Sequence, residues 1–193
     1  QLAIAITTVV FNRSALLFAG EDGVAAVSII MYLQFLCIGI YFGFSMGLST
    51  PLGYAYGDRN FSVCRVLEKY AYRFFAIAPI ILYGCTYLLA PIGVRFFASP
   101  GSTVFDMAVS GLRLYGLGFL FSGINIFAAI RMMTYGKGYI SGMITFLRSF
   151  ALLLLFLIVL PRFLELNGIW LAVPAAEILT LIVAYIFNKK DLF

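Results

Sequence analysis

Three ionisable residues lie deep within apolar stretches of the sequence, where a charge is costly and usually indicates function. Glu177 follows Trp170 by seven residues, which is about 10 Å at the 1.5 Å rise of a helix. Arg13 precedes Gly20 by the same interval, and Arg148 lies in the inner half of another apolar run. A carboxylate and two guanidinium groups could form ion pairs, carry a proton or bind a substrate.

An ion pair between Glu177 and either arginine would offset much of the cost of burying these charges. Similar depth favours Arg13 as the partner, whereas neighbouring apolar runs favour Arg148. Pro174 precedes Glu177 by three residues and leaves a nearby backbone carbonyl without its helical donor. The pair is either structural or handles protons or substrate directly, and the sequence leaves both interpretations open.

The elements that position these charges are long apolar segments. The chain is 63% hydrophobic and 11% charged, whereas soluble domains are about a quarter charged. This composition predicts an all-α, polytopic membrane protein, because an aqueous core cannot hide so much apolar surface. A span needs about twenty apolar residues, and on that criterion we expect a bundle of six transmembrane helices. The spans are predicted at about 1–20, 24–52, 74–97, 109–132, 139–160 and 169–187.

Small residues recur at every fourth position in the second span, at Gly39, Gly43 and Gly47. This spacing is typical of membrane helices that approach each other closely. Pro51 follows in the same register and cannot donate to the helix ladder. We therefore expect a closely packed helix that is interrupted at Pro51 and around which the other spans pack.

Loop charge predicts the orientation, because Lys and Arg favour the cytoplasmic side. One set of loops carries most of the basic residues, which predicts cytoplasmic ends for the chain and a basic amphipathic connector at 56–73. The basic residues of this set of loops are Arg59, Arg65, Lys69, Arg73, Arg131, Lys137, Lys189 and Lys190. The net charge of +5 is spread over these short loops, so we expect the lipid bilayer as a partner and no nucleic acid.

The sequence offers no catalytic or metal-binding constellation. Histidine is absent, and the three cysteines, Cys37, Cys64 and Cys85, are widely spaced. No span contains a pair of acids. We therefore expect neither an enzyme nor a cofactor or metal site.

Four segments, in order, resemble the multidrug and toxic compound extrusion (MATE) transporters. GLSTPLGYAYGDRN resembles the end of the family's eighth helix, although Thr50 stands where the family usually has Gln and Asp58 where it often has Ala. LRLYGLGFLFSGINIFAAIRMMTYGKG resembles the tenth helix. FLRSFALLLLFLIVLP and NGIWLAVPAAEILT resemble the eleventh and twelfth.

The resemblance implies that residues 1–193 are the C-terminal, six-helix lobe of a twelve-helix transporter whose N-terminal lobe is missing. Gln1 starts inside an apolar run without an initiating Met, which also leads us to expect a piece of a longer chain. The implied function is cation-coupled antiport that exports amphipathic or cationic drugs or metabolites across the plasma (inner) membrane. A flippase for lipid-linked oligosaccharide or peptidoglycan precursors, from the same superfamily, is the alternative.

The resemblance also implies candidate sites, because the first two helices of each lobe line the family's central cleft. Polar residues within the spans, for which interhelical hydrogen bonding is the commoner reason, are Asn12, Gln34, Ser45, Ser49, Ser122 and Asn125. Asn12, Gln34, Tyr41 and Ser49 become candidate cleft residues. Some family members bind the coupling cation on acids of this lobe's first and fourth helices. Both spans lack acids here, so we expect the H⁺ or Na⁺ site in the missing lobe.

Overall fold

The computed structural model describes residues 2–190, without the side chains of Leu2, Ile4 and residues 188–190. Over this range the chain is helical and contains no strand. A 3₁₀ turn at Gly116–Gly118 joins α3 to α4, and a π-helical turn at Leu147–Ala151 joins α5 to α6. The helices are α1 (Leu2–Gly57), α2 (Phe61–Arg95), α3 (Thr103–Tyr115), α4 (Phe119–Thr134), α5 (Gly138–Phe146), α6 (Leu152–Val159) and α7 (Pro161–Lys190). The predicted cytoplasmic ends, residue 1 and residues 191–193, and the side chains of Lys189 and Lys190 lie outside the described residues.

Two helices meet within α1 at a kink, where Gly20 has φ 63° and ψ −153°. A side chain is rarely tolerated in this conformation, so glycine is required at the turn. The first arm of α1, residues 2–19, and the second arm, residues 21–57, line one groove, so the chain folds back on itself at Gly20. Residues 21–23, which fall between the first two predicted spans, are also helical.

Five helical segments among the described residues are long and apolar enough to cross a membrane. They are Ala5–Gly57, Phe61–Arg95, Thr103–Thr134, Gly138–Val159 and Pro161–Phe187. The structure therefore confirms an all-helical fold with several membrane-spanning segments, but it does not confirm the predicted count of six. The difference lies in α1, whose two arms count as one segment although they meet at the kink at Gly20.

The prediction that the second span is interrupted at Pro51 is wrong. The second arm of α1 continues through Pro51 to Gly57, and the only non-helical dihedral angles in α1 occur at Gly20. A proline removes one helical hydrogen bond, but its fixed φ near −65° is compatible with a helix. Pro174 likewise lies inside α7, where the non-helical residue is Glu165, with φ 50°.

Helices α1 and α4 together form the packing centre of the fold, since α1 contacts α2, α3, α4, α6 and α7. Helix α4 contacts α1, α2, α5 and α7. Close approach depends on glycines of α4 and of the preceding helix α3: a Cβ at Gly123 in α4 would lie 2.8 Å from the Phe75 ring, and one at Gly111 in α3 would lie 2.8 Å from Trp170. Small residues let membrane helices approach in this way.

The stripe Gly39, Gly43 and Gly47 faces away from this packing. All three residues are exposed, and a Cβ at each position would meet no atom within 4 Å. The buried face of the second arm carries Tyr41 and Leu52. Because a helix turns by about 100° per residue, Gly39 and Gly43 fall on the side opposite Tyr41. The expectation that other spans of this chain pack on the stripe is therefore wrong.

Residues 61–73 are not a separate connector, because they form the first third of α2. Asn60 caps this helix by accepting a hydrogen bond from the Val63 backbone N–H at 3.3 Å. At 1.5 Å per residue its 35 residues are about 52 Å long. This length exceeds the ~30 Å hydrocarbon core of a bilayer, so one end of α2 extends beyond it.

Candidate functional site: two buried ion pairs

Glu177 lies at the centre of a buried hydrogen-bond network formed by three parts of the fold. It is located on α7 and is 4% exposed. From α4, Ser122 Oγ donates to Oε1 at 2.9 Å and Asn125 Nδ2 donates to Oε2 at 2.7 Å. Arg148 donates to Oε1 from Nη2 at 2.7 Å and from Nε at 3.1 Å. Every partner is a donor, so the network is complementary to an ionised carboxylate.

The π-helical turn Leu147–Ala151 positions Arg148. Such turns widen a helix locally and are frequent at functional sites. The side chain of Arg148 is 14% exposed and that of Glu177 is 5% exposed. Of the two arginines that the sequence left open, the structure therefore pairs Arg148 with Glu177.

Asn125 joins α4 to α7 through both the side chain and the backbone of Glu177. Its Nδ2 donates to the Glu177 carbonyl at 2.9 Å as well as to the carboxylate. Asn125 is fully buried, and its Oδ1 has no hydrogen-bond partner among the described residues. The Ser122 hydroxyl is similarly shared, since it also donates to the Gly118 carbonyl at 2.8 Å.

Arg13 lies elsewhere, on the exposed surface of the first arm of α1. It lines a groove of about 580 Å³ between the two arms, together with Asn12, Glu21 and Ser28. The Oδ1 atom of Asn12 is buried and has no hydrogen-bond partner among the described residues. Arg13 forms no ion pair within the part of the chain that the structure describes. Of the four candidate cleft residues, Asn12 is the one that lines this groove.

The other candidate cleft residues form hydrogen bonds with residues of the described helices. Tyr41 is completely buried, and its hydroxyl donates to the Phe119 carbonyl at 3.0 Å. Gln34 is half-buried and accepts a hydrogen bond from the Tyr115 hydroxyl through Oε1. Ser49 donates to the Met46 carbonyl, one turn back, at 2.7 Å. These contacts place Tyr41 in the core rather than on an open surface.

A second buried ion pair, which the sequence analysis missed, joins α2 to α4. Arg131 Nε donates to Glu68 Oε1, and the residues are 2% and 6% exposed. The Tyr135 hydroxyl donates to the same oxygen at 2.5 Å. Burial, followed by the hydrogen bond and the charge of Glu68, raises the pKa of Tyr135 above its ordinary value. The Arg131 guanidinium lies 5.3 Å from the centre of the Tyr135 ring.

A sequence signal for this pair exists in the periodicity of α2. The buried residues of its first half include Cys64, Glu68, Ala71 and Phe75. Their spacing of four, three and four residues describes one helix face. Glu68 therefore lies in register with apolar residues, whereas Arg65 and Lys69 lie on the exposed side.

The all-helical architecture, with several segments long and apolar enough to cross a membrane, is typical of a multi-pass membrane protein. The family model MatE matches residues 1–161. The chain therefore belongs to the MatE family. No curated protein matches the chain.

Solved structures agree with this assignment at the level of the fold. An outward-facing multidrug resistance MATE transporter of the MOP superfamily has a TM-score of 0.88 and 22% identity, covering 98% of this chain and 43% of that chain. An inward-facing MATE transporter has a TM-score of 0.90 and 21% identity, covering 98% and 44%. A MOP superfamily transporter from Pyrococcus furiosus, described with a binding pocket of reversed polarity that suggests a different function, has a TM-score of 0.88 and 21% identity, covering 98% and 43%. The chain thus spans less than half the length of these transporters.

Proposed function

We propose that residues 1–193 are the second lobe of a cation-coupled antiporter that exports amphipathic or cationic compounds by alternating access. The observation that carries the proposal is the MatE match combined with coverage of less than half of each solved transporter. The inward-facing and outward-facing neighbours match this lobe with TM-scores of 0.90 and 0.88. This similarity supports a lobe that keeps its fold while the two lobes move relative to each other. The flippase alternative is not favoured, because the matching family model is MatE and two of the neighbours reported above are described as multidrug resistance MATE transporters.

The open surfaces of α1 support a cleft between two lobes. The first arm and the second arm form the groove that contains Asn12 and Arg13. The exposed stripe Gly39, Gly43 and Gly47 presents a flat helix face that no described residue covers. In the proposed transporter the first lobe packs on this face, and the groove opens into the cleft between the lobes.

The length of α1 supports six membrane crossings. Its 56 residues are about 84 Å long at 1.5 Å per residue, nearly three times a hydrocarbon core of ~30 Å. The two arms, which fold back at Gly20, would therefore cross the membrane separately. Together with the four other apolar segments they make six crossings, with both chain ends on the cytoplasmic side of the plasma membrane.

The coupling cation is proposed to bind in the first lobe. Residues 2–19 and α4 contain no Asp or Glu, and Asp106 is exposed in the first turn of α3. The buried Glu177 is already engaged by Arg148, Ser122 and Asn125. A cation that entered this site would have to displace a guanidinium group. Glu177 is therefore assigned a structural role.

The test is ion-driven export by the full-length transporter in proteoliposomes, with residues 1–193 alone as the comparison. We expect the full-length protein to export a fluorescent amphipathic cation when a proton or sodium gradient is imposed. Residues 1–193 should show no gradient-dependent flux, because alternating access needs both lobes. Saturable flux through residues 1–193 would contradict the assignment as one lobe of a two-lobe transporter.

A further inference from the structure

A stripe of three cations follows one face of α2 near the turn at residues 58–60. Arg65, Lys69 and Arg73 are spaced by four residues, so they lie one above another at intervals of about 6 Å along the helix. All three are exposed. None forms an ion pair with a residue that the structure describes.

These cations line a groove of about 430 Å³ whose other walls are Glu68, Tyr72 and Ala76. Glu68 does not neutralise the stripe, because its carboxylate is buried against Arg131 and Tyr135. Three positive charges therefore face an open groove without a counter-charge. Such a groove is electrostatically complementary to an anion.

The same register becomes apolar directly after Arg73. Ile77 and Ile81 continue the four-residue spacing, and each is 60% exposed. The helix is about 52 Å long and extends beyond a hydrocarbon core of ~30 Å, with its charged residues 65–73 at one end. The cations therefore lie at headgroup depth and the two isoleucines at acyl-chain depth.

We propose that this groove binds an anionic phospholipid. Its phosphate contacts Arg65, Lys69 and Arg73, and an acyl chain lies along Ile77 and Ile81. The positive charges select an anionic headgroup over a zwitterionic one. The apolar continuation favours a lipid over a free phosphate, since a soluble anion would gain nothing from the isoleucines.

The test measures lipid retained by the purified full-length transporter, using native mass spectrometry with phosphatidylglycerol or phosphatidylcholine as the probe. The variant Arg73→Gln removes a cation from the groove, and Arg65→Gln repeats the test at a second position. The matched control is Arg59→Gln, which removes an exposed arginine at the same end of the fold but outside the groove. All three residues are exposed, so we expect the variants to unfold at the wild-type temperature in lipid-free detergent.

We expect Arg73→Gln and Arg65→Gln each to weaken retention of phosphatidylglycerol by about fivefold, as one interfacial cation contributes about that factor. Arg59→Gln should stay within about twofold of wild type, and retention of phosphatidylcholine should not change. An equal loss in Arg59→Gln would overturn the proposal, because it would indicate general surface attraction. Displacement of the lipid by millimolar glycerol phosphate would also overturn it, because the site would then hold a soluble anion.

Discussion

The buried carboxylate on α7 gives the most direct test of the fold and of the proposed structural role. The substitution Glu177→Gln removes the charge and keeps the shape of the side chain. One oxygen remains to accept from Ser122 and Arg148, but an NH₂ group replaces the oxygen that Asn125 Nδ2 contacts at 2.7 Å. Rotating the Asn125 amide does not solve this, because Nδ2 also donates to the Glu177 carbonyl. In the variant the new NH₂ group therefore faces Asn125 Nδ2, so that two hydrogen-bond donors meet. The Arg148 charge is also left without a counterion.

The expected cost follows from these losses. Removing one partner of a buried ion pair typically costs about 3–5 kcal/mol. The amide oxygen retains weaker, uncharged hydrogen bonds, and Arg148 is 14% exposed, so we expect the lower end of this range. We predict a loss of about 3 kcal/mol in the free energy of unfolding. Adding Arg148→Met should recover part of this loss, because the double variant no longer contains an unpaired buried cation.

The assay has two readouts on the full-length transporter: reversible unfolding in mixed micelles, and ion-driven export per folded molecule in proteoliposomes. Glu165→Gln is the matched control, since it removes an exposed carboxylate on the same helix and should cost less than about 0.5 kcal/mol. Glu177→Gln should lower stability and yield yet keep export coupled to the gradient. Normal stability with export that no longer depends on the ion gradient would refute the structural role and make Glu177 the coupling site.

Three further predictions concern other parts of the fold. Gly168→Ala should prevent stable folding, because a Cβ there would lie 2.5 Å from the Leu160 backbone. In Gly142→Ala the new Cβ meets no atom within 4 Å, so this control should be neutral or stabilising by about 0.5 kcal/mol. Expression and thermal unfolding compare the two variants. Glu68→Gln should lower the free energy of unfolding by about 3 kcal/mol, because it leaves the buried Arg131 without its carboxylate. Tyr135→Phe should lower it by about 1.5 kcal/mol, because it removes one hydrogen bond to Glu68. Unfolding in micelles measures both, and equal, negligible effects would contradict a buried network. In a cysteine-free transporter, an impermeant thiol reagent applied to intact cells should label a cysteine at Ser102 but not one at Asp58, and the reverse would invert the proposed orientation.

Composition and the length of the apolar runs predicted the helical membrane fold, because both are local properties that can be determined without knowing how the helices pack. The partner of Glu177 could not be derived in the same way. Similar depth in the membrane favoured Arg13 as the partner of Glu177, whereas neighbouring apolar runs favoured Arg148. Neither argument outweighed the other. The π-helical turn at Leu147–Ala151, which positions the Arg148 side chain, has no sequence signature of its own. The donors Ser122 and Asn125 were recognised as polar residues within a span, but nothing in their spacing identifies the carboxylate they contact.

The glycines show why a correct local pattern can still give a wrong packing assignment. Gly39, Gly43 and Gly47 have the regular spacing that indicates a closely packed helix, yet no described residue contacts them. Gly111 and Gly123, which lack that regular spacing, are the positions where an added Cβ would lie 2.8 Å from Trp170 and from Phe75. A small residue permits close approach but does not determine what approaches, since that depends on which face the rest of the helix buries. Tyr41 and Leu52 lie on the opposite, buried face of the second arm, and the regular stripe is thereby left exposed among the described residues.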